Sequence, residues 1–157
     1  MKSFKINISD ILNWKIDNKK IYNCNRNFFS IVPFKFKKGK TTWFQPLIIQ
    51  KEVGILGILK KKIQSADYYL LQAKVEPGNT KGIQLSPTVQ ATKSNYLQKH
   101  GGKKTNYLNF FIKNKLKTKT ITNLKLSEQG TRYYNKSNNN ILVDLQNEKI
   151  KKLNNYV

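Results

Sequence analysis

One cysteine and one histidine occur in 157 residues. Cys24 alone rules out an internal disulfide and any zinc site built from several cysteines. His100 alone rules out a multi-histidine metal centre within the chain. The eight acidic residues are too few and too scattered for a magnesium-binding cluster. No metal or cofactor is therefore expected. Arg26 and Arg132 are the only two arginines. Proline occurs four times, and no internal repeat or Pro/Gly/Ser-rich linker divides the chain. No apolar run approaches the roughly 20 residues that carry a helix across a bilayer, so no membrane partner is expected. The opening MKSFKINISD carries charge without a following apolar stretch. That argues against a secretory signal and for a cytoplasmic protein. The P-loop, G-x-G-x-x-G, H-E-x-x-H and G-x-S-x-G patterns are missing, which disfavours the common hydrolase and redox motif classes.

What is abundant is lysine. Thirty basic residues against eight acidic ones give a net charge of +22, a balance that ordinarily points to a polyanionic partner. Yet lysine keeps company here with asparagine, isoleucine and tyrosine, all of which have A/T-rich codons. Sequence-specific readers of nucleic acid lean on arginine for bidentate base contacts. Nucleic acid is thus not the expected partner, and a smaller phosphate-bearing ligand would suit a basic surface equally well.

Eight phenylalanines, eight tyrosines and two tryptophans run through the chain, enough to fold one domain with its own core. Ser9 or Asp10 can cap a brief opening helix, followed by a turn at IDNKK and a short strand. FFSIVPFKF reads as a strand that Pro33 confines to an edge or a bulge. TTWFQPLIIQ is extended, with a bend at Pro46. The clearest signal is a β-hairpin, GILGILKKKI and YYLLQAKVE joined by QSAD. Gly54 and Gly57 inside its first strand mark a bulge or a close backbone approach. TKGIQLSPTVQAT is irregular or an edge strand, YLNFFIKNKL contains a short helix, and RYYNKSNNNILVDL ends in a last strand. Residues 146–157 are expected to fray. The fold class is α+β, with a curved, antiparallel or mixed sheet and few helices.

Residues 70–102, LLQAKVEPGNTKGIQLSPTVQATKSNYLQKHGG, concentrate the varied chemistry. Glu76 leaves a predicted strand just before Pro-Gly, where partial burial would raise its pKa and suit it to proton transfer. The plainer reading is a solvated carboxylate or one paired with Lys74. His100 sits in QKHGG, whose glycines permit close ligand approach, and it can act as acid or base near neutral pH; an ordinary surface histidine is the alternative. Gln84, Ser86, Thr88 and Gln90 share one phase of a strand, a row of uncharged donors and acceptors suited to a sugar or nucleotide. Lys93 nearby can meet phosphate. A polar edge strand would look the same.

WFQPLIIQKEVGILGIL, LLQAKVEPGNTKGIQLSPTVQATKSNY, HGGKKTNYL and LSEQGTRYYNKSNNNILVDL together resemble the NDP-hexose 2,3-dehydratases, over roughly residues 9–145. The resemblance implies a Nudix-like α+β module, one of a tandem pair in that family, with this chain, 1–157, similar to the first. It implies removal of water across C2–C3 of a dTDP-linked 4-keto-6-deoxyhexose in deoxysugar biosynthesis, without a redox cofactor. The C4 ketone acidifies the C3 proton and the C2 hydroxyl leaves, so the site needs a base, an acid and donors to the developing enolate. On that resemblance Glu76 and His100 are the candidates for proton transfer. Gln84, Thr88 and Gln90 would hold sugar oxygens, Lys74, Lys93 and Arg132 the diphosphate, and Tyr96 or Trp43 would stack on the base. The second module would come from a homodimer or a separately encoded chain. Two competing readings are a remnant that only binds nucleotide sugar and a basic nucleic-acid-binding protein.

Overall fold

The computed structural model describes residues 3–25, 29–80, 82–98, 103–112 and 117–157. His100 and its flanking glycines lie outside the described residues. The chain forms two compact units. The smaller comprises Phe4–Glu52 with Ser127–Ser137, and the larger comprises Met1–Ser3, Val53–Leu126 and Asn138–Val157.

The smaller unit opens with a 3-10 turn at Ile8–Asp10. It continues as β1 (Trp14–Ile16), β2 (Ile21–Asn23), β3 (Ser30–Lys38) and β4 (Thr41–Ile49), an antiparallel sheet in that order. Asp17 builds the first turn, its Oδ1 accepting from the Lys19 and Lys20 amides at 2.7 and 2.8 Å. Those amide hydrogen bonds, Lys19 foremost, hold its carboxyl below the usual range. The β3–β4 turn is Gly39-Lys40, with Gly39 at φ +58° as tight hairpins require. Pro33 faces Pro46 across the hairpin. Pairing of β3 with β2 reaches only Ile31, so Pro33 stands where that side of the strand is an edge. The segment 127–137 returns to this unit. Ile48 N donates to Arg132 O at 2.7 Å, and Tyr134 N donates to Ile48 O at 3.0 Å.

The larger unit contains β5 (Gly54–Ile63), β6 (Ala66–Lys74), β7 (Gln84–Pro87), β8 (Val89–Ala91), α1 (Lys93–Tyr96), α2 (Asn109–Ile112), β9 (Lys119–Ser127) and β10 (Ser137–Asp144). Its sheet runs β7-β6-β5-β10-β9, with β8 also paired to β5. β10 lies parallel to β5, whereas β6 and β8 pair with β5 antiparallel. Among the described residues, mixed and antiparallel sheets with two short helices agree with the expected α+β class. The β5–β6 hairpin, the helix within YLNFFIKNKL and the last strand all form where the sequence places them. β9 was not foreseen: most of its nine residues are exposed, so no one-sided apolar pattern announces it.

The core follows the period-two rule. Ile55 and Leu59 of β5, Ile141 and Val143 of β10, and Val89 of β8 cluster with Leu145, with Tyr96 and Phe111 packed against them. Full burial of each such aliphatic side chain contributes about 1.5–3 kcal/mol. Gly57 lies between Ile55 and Leu59 because the Phe111 ring occupies its side-chain space: an added Cβ would sit 2.6 Å from Phe111 Cδ1. At Gly54 an added Cβ would meet Asn138 Oδ1 at 2.9 Å, the atom to which Gly54 N donates. Both glycines therefore mark close approaches, as expected.

The segment after Leu145 corrects the expectation of fraying. Leu71 and Val157 exchange two backbone hydrogen bonds, at 2.8 and 2.9 Å, and Ala73 N donates to Asn155 O at 2.8 Å. Tyr156 is 2% exposed and meets the Tyr107 ring edge-on at 4.8 Å. Burial raises the Tyr156 phenol above the ordinary tyrosine range. Apolar burial and strand-like pairing onto β6 hold a lysine- and asparagine-rich stretch that composition alone marks as loose.

Candidate functional site

Four of the expected residues gather around the end of β6. Lys74 Nζ lies 2.7 Å from Glu76 Oε1 and donates to Gln90 Oε1 at 3.3 Å. Gln84 stands directly opposite Lys74 in the β6–β7 ladder. Two local rules bring them together: alternate residues share a strand face, and register sets cross-strand neighbours. Glu76 is half exposed and ion-paired, so the enclosed carboxylate of the sequence reading is not the arrangement found. The result is an exposed strip that offers a carboxylate, an ammonium and two amides.

Thr88 takes no part in that strip. It is wholly buried, its Oγ1 accepting from Leu59 N at 3.0 Å and donating to Leu70 O. Here the chain passes from pairing with β6 to pairing with β5, and the Thr88 hydroxyl joins those two strands. The expected row of four is broken at this point. Ser86 Oγ likewise donates to the sheet, to Gln72 O at 3.3 Å. Lys93 is exposed on α1, while Tyr96 on the same helix packs against the core.

Trp43 and Arg132 belong to the smaller unit. Arg132 is exposed in the 127–137 segment, where its backbone docks on Gln129 and Ile48. Trp43 ends a row of stacked rings: Tyr134 on Phe34 at 4.5 Å, Phe34 by Phe36 at 6.0 Å and Phe36 on Trp43 at 5.3 Å. Phe34, Phe36 and Trp43 share one face of the β3–β4 hairpin because their register positions have the same parity.

Beside this row lies a cavity of about 300 Å³, bounded by Phe36, Leu47, Glu128, Tyr134, Asn135 and Lys136 among others. Lys136 is 6% exposed, and its Nζ donates to the Glu52 carbonyl. Burial pulls its ammonium below the usual lysine range, opposed by the negative charges of Glu128 and Glu52. Sequence reasoning did not single out this lysine. It lies within the quoted LSEQGTRYYNK run, but nothing in a chain so rich in lysine distinguishes the one that folds inward. A second cavity, about 270 Å³, lies in the larger unit between α2 and the tail, lined by Asn106, Tyr107, Phe110, Lys149, Ile150 and Lys151 among others. Among the described residues, no three His, Cys, Asp or Glu side chains converge as metal ligands, and no helix is long and apolar enough to cross a membrane.

Among the described residues, fold and site define an α+β protein with one antiparallel and one mixed sheet, a polar strip at a sheet edge and an aromatic-walled cavity beside a buried lysine. The family model for NDP-hexose 2,3-dehydratase matches residues 1–157, and the chain belongs to that family. The protein is 39% identical over 140 residues to a dTDP-4-dehydro-6-deoxy-alpha-D-glucopyranose 2,3-dehydratase of Saccharopolyspora spinosa, covering 86% of this chain and 29% of that one. It is 46% identical over 102 residues to the enzyme of the same name from Amycolatopsis orientalis, covering 65% and 21%. A third, from Streptomyces violaceoruber, is 35% identical over 146 residues, covering 90% and 33%. The chain thus spans a third or less of the length of these curated relatives.

Proposed function

We propose that the chain binds a dTDP-linked 4-keto-6-deoxyhexose and takes part in eliminating water across C2–C3 of its sugar, as a Nudix-like module in cytoplasmic deoxysugar biosynthesis. The observation that carries this reading is the family match along the whole chain. A base removes the C3 proton, the electron pair flows toward the C4 oxygen as enolate, and the C2–O bond breaks with protonation of the departing hydroxide. Glu76 and His100 are the proton-transfer candidates, and Lys74, Gln84 and Gln90 supply donors and acceptors beside Glu76. Lys93 and Arg132 are exposed cations available to the diphosphate. A second copy of the chain or a separately encoded module is the protein partner this reading names.

The test is incubation of the chain with dTDP-4-keto-6-deoxyglucose, with loss of one water read by mass spectrometry. Turnover that drops about 10²–10⁴-fold in Glu76→Gln supports the assignment of proton transfer. Turnover untouched by Glu76→Gln removes Glu76 from the mechanism. The half-exposed, ion-paired Glu76 favours a second reading, a module that binds nucleotide sugar without turning it over. Binding by calorimetry with no water loss selects it, and the absence of both overturns the proposal.

A further inference from the structure

In the smaller unit, β2 pairs with β3 only as far as Ile31, while β3 and β4 stay paired out to Lys38 and Thr41. Beyond β2 the hairpin is therefore a two-stranded ribbon, residues 33–38 against 41–46. Parity gives it two unlike faces. One carries Phe34, Phe36 and Trp43, and Tyr134 stacks on it. The other carries the cross-strand pairs Pro33–Pro46, Lys35–Phe44 and Lys37–Thr42, and all six residues are exposed. Phe44 is 74% exposed, and Lys35 Nζ stands 5.8 Å from its ring centroid. Lys38 and Lys40 extend the charge into the turn. The sequence has no acidic residue from 18 to 51, and among the described residues no carboxylate pairs with these four lysines.

Folding thus gathers on one open ribbon lysines that belong to a chain basic along its whole length, and charge complementarity calls for a polyanion. A lone exposed ring needs no explanation by itself. A ring set among cations matches the way unpaired bases are held, with the base stacked on the ring and the phosphates on the ammonium groups. We propose that this face of the β3–β4 ribbon is a binding surface for single-stranded nucleic acid, with a base on Phe44 and backbone phosphates on Lys35 and Lys37. A duplex keeps its base faces stacked inside and offers the ribbon only phosphates. An anionic membrane fits less well, because the turn, Lys38-Gly39-Lys40, brings no apolar residue to the tip. Lysine without arginine holds the backbone and does not read bases, so no sequence preference is expected. None of these residues is among those offered for the dehydration.

The experiment follows the anisotropy of a labelled oligothymidylate of about 16 nucleotides with the full chain, beside a duplex of equal length. Phosphatidylserine vesicles, read by co-sedimentation, form a third arm. The variants are Phe44→Ala, the pair K35Q with K37Q and, for equal loss of charge elsewhere, K103Q with K104Q on exposed lysines of the larger unit. All five positions are exposed, so each variant is expected to fold. Phe44→Ala is expected to weaken the single strand about fivefold or more and to change the duplex less than about twofold. The K35Q/K37Q pair is expected to lower the slope of log K against log salt by about 1.4, and the K103Q/K104Q pair by less than about half of that. A single-strand change below about fivefold in Phe44→Ala, or an equal change in the duplex, overturns the surface. Equal slopes in the two lysine pairs overturn it too, since the attraction would then be generic charge. Binding to the vesicles without binding to the oligonucleotide overturns it in favour of a membrane.

Discussion

Thr88 and Lys136 show how far a residue's type stands from its role. Thr88 reads as one of four exposed polar groups at even spacing, yet its hydroxyl links two core strands. Thr88→Val should leave the Leu59 N–H and the Leu70 C=O without that partner and cost about 1–3 kcal/mol, measured by urea unfolding. Thr88→Ser, which keeps the hydroxyl, should cost less. Lys136 is one of many lysines, and only its enclosure distinguishes it. By contrast, the gathering of Glu76, Lys74 and Gln84 was partly legible, because alternation and hairpin register are local rules. That Glu76 is ion-paired and half exposed matches the plainer of its two sequence readings.

At the scale of elements, β5 and the tail carry the clearest consequences. Gly57→Ala would push a methyl group into the Phe111 ring. The expected cost is about 1–3 kcal/mol, seen as a lower Tm, and Phe111→Leu in the same chain should recover part of it by opening space. Tyr156→Ala should cost about 3–5 kcal/mol despite lying one residue from the end of the chain, because the ring is buried against Tyr107. Hydrogen exchange should then rise at the Leu71 and Ala73 amides, whose acceptors lie in the tail. The β5–β6 hairpin, α2 and β10 were legible from apolar runs and turn residues. The pairing of β10 with β5 was not: it joins Asn138 to Gly54 across a long stretch of chain, and a parallel ladder leaves no turn signal to mark its register. β9 was missed for a related reason, since its residues lie open and its pattern does not choose a face.

For the whole molecule, the charge of +22 is the loudest property of the sequence, while the family match favours a smaller phosphate-bearing ligand. Lysines spread along a chain attract any polyanion through counterion release, without specificity. Association with generic duplex DNA should therefore fall by about 10³-fold or more between low and physiological salt, read by filter binding or anisotropy. A DNA affinity that survives physiological salt, in a chain without dTDP binding, would return the nucleic-acid reading to first place.

Composition and local pattern alone determined the class of elements, the central hairpin and the two close-packed glycines, because each is written in residues near one another; the family came from the resemblance of long specific runs. Only tertiary structure decided that Thr88 turns inward, that residues 146–157 pair with β6, and that residues 127–137 return to β4 and bury Lys136. Each of these depends on contacts between segments far apart along the chain. Their stabilisation comes from excluded water and shared hydrogen bonds, which exist only once both partners are in place.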